Sequence, residues 1–122
     1  MSNIKMYCVV SKVAVDAMKG SRGKLGSQCG HGFLHAFWDS EQRFPELAQK
    51  YKNSNLAYKI TLVAPDQEFL DNLLLLYKDK CGVSLVTDAG LTVFDGPTVT
   101  CIGIGPIDID DRENILKSLK PL

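Results

Sequence analysis

The alternation of short β-rich runs with helical patterns constrains the fold of this chain more than any other feature of its sequence. Strands are indicated where β-branched and aromatic residues cluster between turn signals, and helices where apolar residues recur every three or four positions. These patterns predict strands over residues 4–15, 57–63, 83–86 and 99–104. They predict helices over residues 24–38, 45–51, 66–80 and 110–119. The order of elements is therefore β-α-α-β-α-β-β-α.

This order favours an α/β fold with three layers, α/β/α, built around a mixed four-stranded sheet. Helices connect the early strands, and such crossovers place helices on both faces of a sheet. No helix separates the third and fourth strands, so we expect those two to be antiparallel. A chain of 122 residues suits one hydrophobic core, and residues 1–122 are therefore predicted to form a single domain.

Charge is balanced over the whole chain but not along it. Lysine and arginine together number 14, and aspartate and glutamate also number 14. Nucleic-acid-binding proteins usually carry a basic excess, because neutralising phosphates supplies much of their affinity. Lys19, Arg22 and Lys24 nevertheless cluster around one glycine-containing loop. We therefore expect a local basic patch rather than a globally basic surface.

Signals for export, membrane insertion and metal binding are missing from the sequence. No apolar run approaches the roughly 20 residues of a membrane helix, and residues 1–5 do not resemble a secretory signal, so a cytoplasmic location is expected. The cysteines form no C-x-x-C pair and are expected to be reduced. Their positions are Cys8, Cys29, Cys81 and Cys101. Cys29 and His31 alone fall short of a zinc pattern, so no metal is expected.

The helix predicted over residues 24–38 presents a polar row beside an apolar one. At 100° per residue, spacings of four, three and four residues place four polar side chains in one stripe. They are Lys24, Gln28, His31 and His35. The basic Gly-Ser loop before this helix favours an anion such as phosphate, although it is not a Walker loop. Glycines at positions 26, 30 and 32 indicate close backbone approach, to the sheet or to a ligand; a solvated helix face is the alternative.

Two further segments place polar groups near strand ends. Asp88 follows the third strand, where open α/β sheets place ligands, and Thr92 adds a hydroxyl group shortly afterwards. Thr98 and Thr100 alternate with apolar residues of the fourth strand, so both hydroxyls are expected on one face. An ordinary turn and an ordinary strand with exposed threonines are the alternatives.

Together, these segments resemble the type II peptidyl-tRNA hydrolases of archaea and eukaryotes. The family element G-K-x-x-x-Q-C-x-H is matched by Gly23, Lys24, Gln28, Cys29 and His31. The element D-A-G-x-T is matched by Asp88, Ala89, Gly90 and Thr92. A strand ending T-x-x-G-I-G-P is matched by Thr100, Gly103, Ile104, Gly105 and Pro106. The order and separations agree, and the resemblance covers residues 5–119.

The resemblance implies a homodimeric enzyme without a metal or other cofactor. Its implied reaction is hydrolysis of the ester that joins a peptide, or an N-blocked amino acid, to the 3′ ribose of tRNA, which recycles tRNA for translation. The residues implied to be catalytic are Lys24, Gln28, Asp88 and Thr98. The residues implied to bind the substrate are Lys19, Arg22, His31, Thr92 and Thr100.

The chain also departs from the family pattern, and these departures leave two other functions open. Leu91 stands where the family often has arginine, Gly96-Pro97 inverts a usual Pro-Gly, and Leu-Lys-Ser at residues 116–118 replaces Thr-Gly-His. One alternative is a non-catalytic relative that binds RNA or protein on the same scaffold. The other is a hydrolase of a smaller ester or amide. The retained polar motif residues favour an enzyme, whereas the missing arginine and the neutral net charge favour the alternatives.

Overall fold

The computed structural model describes residues 3–91, 94–109 and 115–122. Within these ranges the strands are β1 Lys5–Ser11, β2 Lys59–Ala64, β3 Val83–Asp88, β4 Thr98–Ile107 and β5 Lys120–Pro121. The α-helices are α1 Lys12–Ala17, α2 Arg22–Arg43, α3 Pro45–Lys52 and α4 Gln67–Tyr77, and a 3₁₀ helix covers Ile115–Ser118. None of the helices in these ranges is both long and apolar enough to cross a membrane.

The strands form one mixed sheet with the order β3-β4-β1-β2-β5. β1 and β2 are parallel, as expected from the helices that connect them. β3 and β4 are antiparallel, as expected from a connection without a predicted helix. The predicted α/β class with a mixed sheet is therefore confirmed.

Alternate residues of β1 cover the two faces of the sheet. Tyr7 and Val9 pack with Leu70 and Leu73 of α4. The opposite face lies under α2 and contains Met6, Cys8 and Val10. Because both faces are covered, β1 reads as a continuous apolar run rather than as an alternating one. This arrangement gives the three predicted layers.

The strand predicted over residues 4–15 is wrong beyond Ser11, where β1 ends. Ser11 Oγ accepts a hydrogen bond from the Ala14 backbone N–H at 3.5 Å, and this N-cap begins α1. The β-branched side chains of Val13 and Val15 favour a strand locally, but the cap decides the conformation. A second side-chain cap begins α4, where Asp66 Oδ1 accepts a hydrogen bond from the Phe69 N–H at 3.0 Å, at the start of the helix predicted from residue 66.

The predicted number of four strands is also wrong, because the sheet has a fifth strand. Lys120 and Pro121 pair antiparallel with Val63 and Leu62 of β2. A two-residue strand is too short to produce a periodic pattern in the sequence. The helix predicted over residues 110–119 is wrong where it can be compared, since residues 115–118 form a 3₁₀ helix and residues 110–114 lie outside the described ranges.

Helix α2 comes closest to the sheet where two glycines meet. A Cβ atom on Gly103 would overlap the carbonyl group of Gly32. A Cβ atom on Gly32 would lie 3.0 Å from the Cys8 sulfur. Gly32 therefore makes the close approach that the helix glycines indicate. Gly26 and Gly30 make no close approach to the described residues of the sheet, because a Cβ atom at either position would meet open space.

Candidate functional site

The first turn of α2 is fixed by a serine cap. Ser21 is the N-cap residue, and its Oγ accepts a hydrogen bond from the Lys24 backbone N–H at 3.3 Å. The sequence pattern was interpreted as a loop around Ser21, and this cap was missed. A serine directly before the first helical residue is nevertheless a usual signal for the start of a helix. The cap places Lys24 in the first helical turn, facing the end of β3.

Lys24 and Asp88 form an ion pair between two motifs that are 64 positions apart in the chain. Lys24 Nζ lies 2.6 Å from Asp88 Oδ1, and the two side chains are 20% and 10% exposed. Asp88 Oδ2 accepts a hydrogen bond from the Gly90 N–H at 3.0 Å. The Lys24 ammonium is the main cause that lowers the pKa of Asp88, and the Gly90 N–H and the nearby His31 add to it against desolvation. Asp88 is therefore ionised at neutral pH.

Gln28 and Thr100 form a second, buried contact. Thr100 Oγ1 donates a hydrogen bond to Gln28 Oε1 at 2.7 Å, and the two residues are 0% and 4% exposed. Val99 and Cys101 of β4 pair with consecutive residues of β3, so Thr100 between them is an extra residue. This irregularity is a β-bulge. The bulge brings Thr100 and Cys101 to the α2 face together, and both contact Gln28. The amide NH₂ of Gln28 meets no acceptor within the described residues and can serve as a donor.

The turn after β3 packs against the segment before β4. Gly90 has a φ of +80°, and a Cβ atom there would overlap the backbone of Gly96. Thr98 lies directly opposite Asp88 in the β-ladder, so their side chains share a face of the sheet. Thr98 Oγ1 donates a hydrogen bond to the Gly96 carbonyl at 2.9 Å. Gly96 was not among the predicted site residues, although Gly-Pro is a turn signal.

Among the predicted substrate-binding residues, Thr100 is fully buried, whereas the others that the structure describes are exposed. His31 is exposed on the same side of α2 as Lys24. Lys19 and Arg22 are exposed, and neither has an ion-pair partner among the described residues. Thr92 lies outside the described ranges. Leu91, in place of the family's arginine, is 88% exposed.

The polar row of α2 continues past His31 as a series of rings. The ring centroids of His31 and His35 are 5.5 Å apart, with 49° between their planes. Those of His35 and Trp38 are 5.3 Å apart with only 17° between planes, which is a stacked arrangement. The sequence interpretation treated Trp38 only as the end of the helix, although its spacing of three from His35 places both on one side.

The described residues contain no set of three His, Cys, Asp or Glu side chains placed to hold a metal ion. The four cysteines are free thiols, and Cys8, Cys81 and Cys101 are buried. Burial raises the pKa of Cys81 to about 12, so this thiol stays protonated and packs as a small hydrophobic group.

The geometry defines an α/β protein with a polar site at which a helix N-terminus meets a strand-end carboxylate and a strand-borne hydroxyl. The profile of the family described as "Peptidyl-tRNA hydrolase PTH2" matches residues 4–122. A "Peptidyl-tRNA hydrolase" from Methanopyrus kandleri is 39% identical over 102 residues, which cover 83% of this chain and 85% of that protein. The chain belongs to the peptidyl-tRNA hydrolase PTH2 family, as the motifs predict.

Animal relatives are longer than this chain. "Peptidyl-tRNA hydrolase 2, mitochondrial" from Mus musculus is 30% identical over 115 residues, covering 93% of this chain and 62% of that protein. "Probable peptidyl-tRNA hydrolase 2" from Drosophila melanogaster is 28% identical over 120 residues, covering 98% and 62%. The chain thus spans somewhat under two thirds of the length of these relatives.

Proposed function

We propose that this chain hydrolyses peptidyl-tRNA at the ester that joins the peptide to the 3′ ribose. The observation that carries the proposal is the Lys24–Asp88 ion pair of 2.6 Å. It brings the two motifs that resemble the family's active site into one cluster. The family is named for this reaction, and the paired residues have the chemistry that ester hydrolysis requires.

Hydrolysis of an ester requires an attacking water and donors for the carbonyl oxygen that becomes negative. The Lys24 ammonium and the Gln28 amide are the proposed donors to that oxygen. Asp88 holds Lys24 in place and orients the water through its remaining lone pairs. The water oxygen bonds to the carbonyl carbon and gives up one of its two protons, the bond to the ribose oxygen breaks, and this oxygen takes up one proton in turn. The peptide leaves with a free carboxyl group.

Thr98 and Thr100 support the reaction in different ways. Thr98 shares a face with Asp88, and we assign its hydroxyl, which donates to the Gly96 carbonyl, to the leaving ribose oxygen. Thr100 is fully buried, so it does not contact the substrate. We assign it to positioning Gln28. Its hydroxyl donates a hydrogen bond to the amide oxygen of Gln28, so the NH₂ group of Gln28 is not engaged by Thr100.

Lys19 and Arg22, with Lys24, are the proposed contacts to phosphates of the acceptor end of tRNA. Each neutralised phosphate releases counterions, so three contacts predict a log–log slope of affinity against salt of roughly −2 to −3. Lys19→Ala should make this slope less steep by the amount that one phosphate contact contributes. A flat salt response would contradict tRNA binding by this loop.

The direct test is release of an N-acetylated amino acid from N-acetyl-aminoacyl-tRNA by the purified chain. Lys24→Ala should abolish most of the release, whereas Lys50→Ala, an exposed lysine of α3, should leave it unchanged. Binding of tRNA without release would favour the non-catalytic alternative. Release from a small ester but not from tRNA would favour the small-substrate alternative.

We also propose that the chain forms a homodimer. Exposed apolar side chains on the outer side of α4 and the 3₁₀ helix support an interface there, since Leu75, Leu76 and Ile115 are 63%, 41% and 40% exposed. Sedimentation equilibrium should show a dimer, and Leu75→Glu should shift it to monomer. A wild-type monomer at high concentration would contradict the proposal.

We propose the cytoplasm as the site of action. The four free cysteines support a reducing compartment. Fractionation of cells against cytosolic and mitochondrial markers tests this location, because several relatives are named as mitochondrial.

A further inference from the structure

His35 and Trp38, the outer rings of the row on α2, have no role in the site described above. His31, His35 and Trp38 lie on the side of the helix that also carries Lys24, and all three rings are exposed to solvent. Trp38 is 52% exposed, which is unusual for the largest apolar side chain. The His35–Trp38 pair is already stacked, with 17° between the ring planes.

We infer that His35 and Trp38 form a stacking platform for nucleobases of the unpaired 3′ end of tRNA. This inference rests on the proposed function, because the ester at Lys24 fixes where the 3′ end begins. Flat, exposed rings beside a cationic site are the usual means by which proteins hold single-stranded nucleic acid. Stacking of this kind tolerates any base, because every base has a π-face.

The distance along the helix identifies which nucleotides reach the platform. With a rise of about 1.5 Å per residue, His35 and Trp38 lie about 16 and 21 Å beyond Lys24. The terminal adenosine carries the ester and occupies the space beside Lys24, so it does not span this distance. The platform therefore receives the bases that precede the terminal adenosine.

The charges on α2 favour a nucleic acid over other occupants of this face. Asp39 and Glu41 are the carboxylates of this helix, and both are neutralised. Asp39 pairs with Arg43 at 2.7 Å, and Glu41 pairs with Lys52 at 2.7 Å. No unpaired carboxylate on α2 is left to repel a phosphate chain that runs from the Lys24 end to the rings.

Trp38 is the single tryptophan of the chain, so its fluorescence reports directly on the platform. A short single-stranded RNA that ends in CCA and carries no amino acid should quench this fluorescence in a saturable way, because a stacked base shields and quenches the indole. His35→Ala should weaken the apparent affinity by roughly 10-fold. Tyr58→Ala, which removes an aromatic side chain of similar exposure (51%), should not. No saturable quenching, or equal quenching by a duplex of the same length, would overturn the inference.

Kinetics with substrates of increasing length locate the contact. Trp38→Ala should raise KM by roughly 10-fold for an N-acetyl-aminoacyl ester of a CCA-ending oligonucleotide, with kcat unchanged, and Trp38→Phe should largely restore KM. The same ester on adenosine alone should show no change. An equal rise of KM on adenosine, or a rise that follows peptide length, would place the contact elsewhere and overturn the platform.

The two tests separate this inference from the proposed function. The fluorescence measurement needs no turnover, so quenching without hydrolysis would retain the platform and contradict only the hydrolase activity. Hydrolysis by the wild type with unchanged kinetics for Trp38→Ala would retain the activity and contradict only the platform.

Discussion

The two faces of the sheet are covered by different kinds of residues. The face under α4 is packed with large apolar side chains, among them Leu70, Leu73 and Ile102. The face under α2 has the Gly32–Gly103 contact and, within the same layer, the buried polar pair Gln28–Thr100. Large side chains provide more burial, whereas glycines allow a helix backbone to approach a strand. The comparison indicates that the α4 face is stabilised by apolar burial, whereas the α2 face depends on close backbone contact, which fixes the position of the site.

Gly103→Ala is the first test of this comparison, and we expect it to have the largest effect on stability. The new Cβ atom would overlap the Gly32 carbonyl, which is backbone and cannot turn aside. The helix must then move away from the sheet, at a cost of about 3 kcal/mol or more. Circular dichroism should show little folded protein, or a strongly lowered Tm. A variant with wild-type Tm would show that the close approach is not needed for folding.

Leu73→Ala tests the opposite face and should be the next largest effect. Leu73 is 1% exposed, and its truncation should lower the free energy of unfolding by about 2–5 kcal/mol. The kcat/KM of the protein that remains folded should stay near the wild-type value, because α4 does not contribute to the site. Denaturant titration measures the first quantity and the tRNA assay the second. A selective loss of kcat/KM would mean that the two faces are coupled.

Lys24→Ala should give the reverse of the Leu73→Ala result, with a large loss of activity and little loss of stability. We expect kcat/KM to fall by roughly 10²-fold, equivalent to about 2.7 kcal/mol in the activation barrier, with little change in Tm, because alanine favours helix. Asp88→Asn should lose about as much activity, and the double variant should lose little more, because the pair acts as a unit. Additive losses would show that Lys24 and Asp88 act independently.

The smallest expected effect is on the pH dependence of stability. The pKa of Asp88 is lowered in the folded state, so ionised Asp88 stabilises the fold above its ordinary pKa of about 3.9. That contribution is lost as the pH falls through the lower folded-state pKa. The Tm difference between wild type and Asp88→Asn should therefore be constant near neutral pH. It should disappear as the pH falls below about 4. A difference that persists in strong acid would mean that the charge of Asp88 does not contribute.

The fold class and the main elements could be predicted because their signals are local. The burial of β1 on both faces produces an unbroken apolar run, and the caps and turns produce recognisable residues. The errors occur where a local signal is weak or is overridden. Val13 and Val15 favour a strand but follow the Ser11 cap, and β5 is held only by its pairing with β2.

The sequence motifs indicate which residues form the candidate site, but they do not predict the contacts among them. Helical spacing places Lys24 and Gln28 on one stripe, but nothing in that spacing states that Lys24 pairs with Asp88 while Gln28 pairs with Thr100. Those pairings depend on tertiary packing across 64 and 72 positions of the chain. The stacking of His35 on Trp38 depends likewise on rotamers that the sequence does not specify.

The bulge in β4 changes how much of the strand is available to the site. A regular strand presents every second residue to one side, so four consecutive positions would supply two side chains. In residues 98–101, Val99 packs towards α4, while Thr98, Thr100 and Cys101 are all directed to the α2 side. A single extra residue thus raises the local density of functional groups by half without lengthening the sheet. Because Thr100 is the extra residue, its deletion would leave Val99 and Cys101 as ordinary neighbours that still pair with Thr87 and Val86. The sheet would keep its register, and the strand would lose the third side chain on the α2 side together with the hydrogen bond to Gln28.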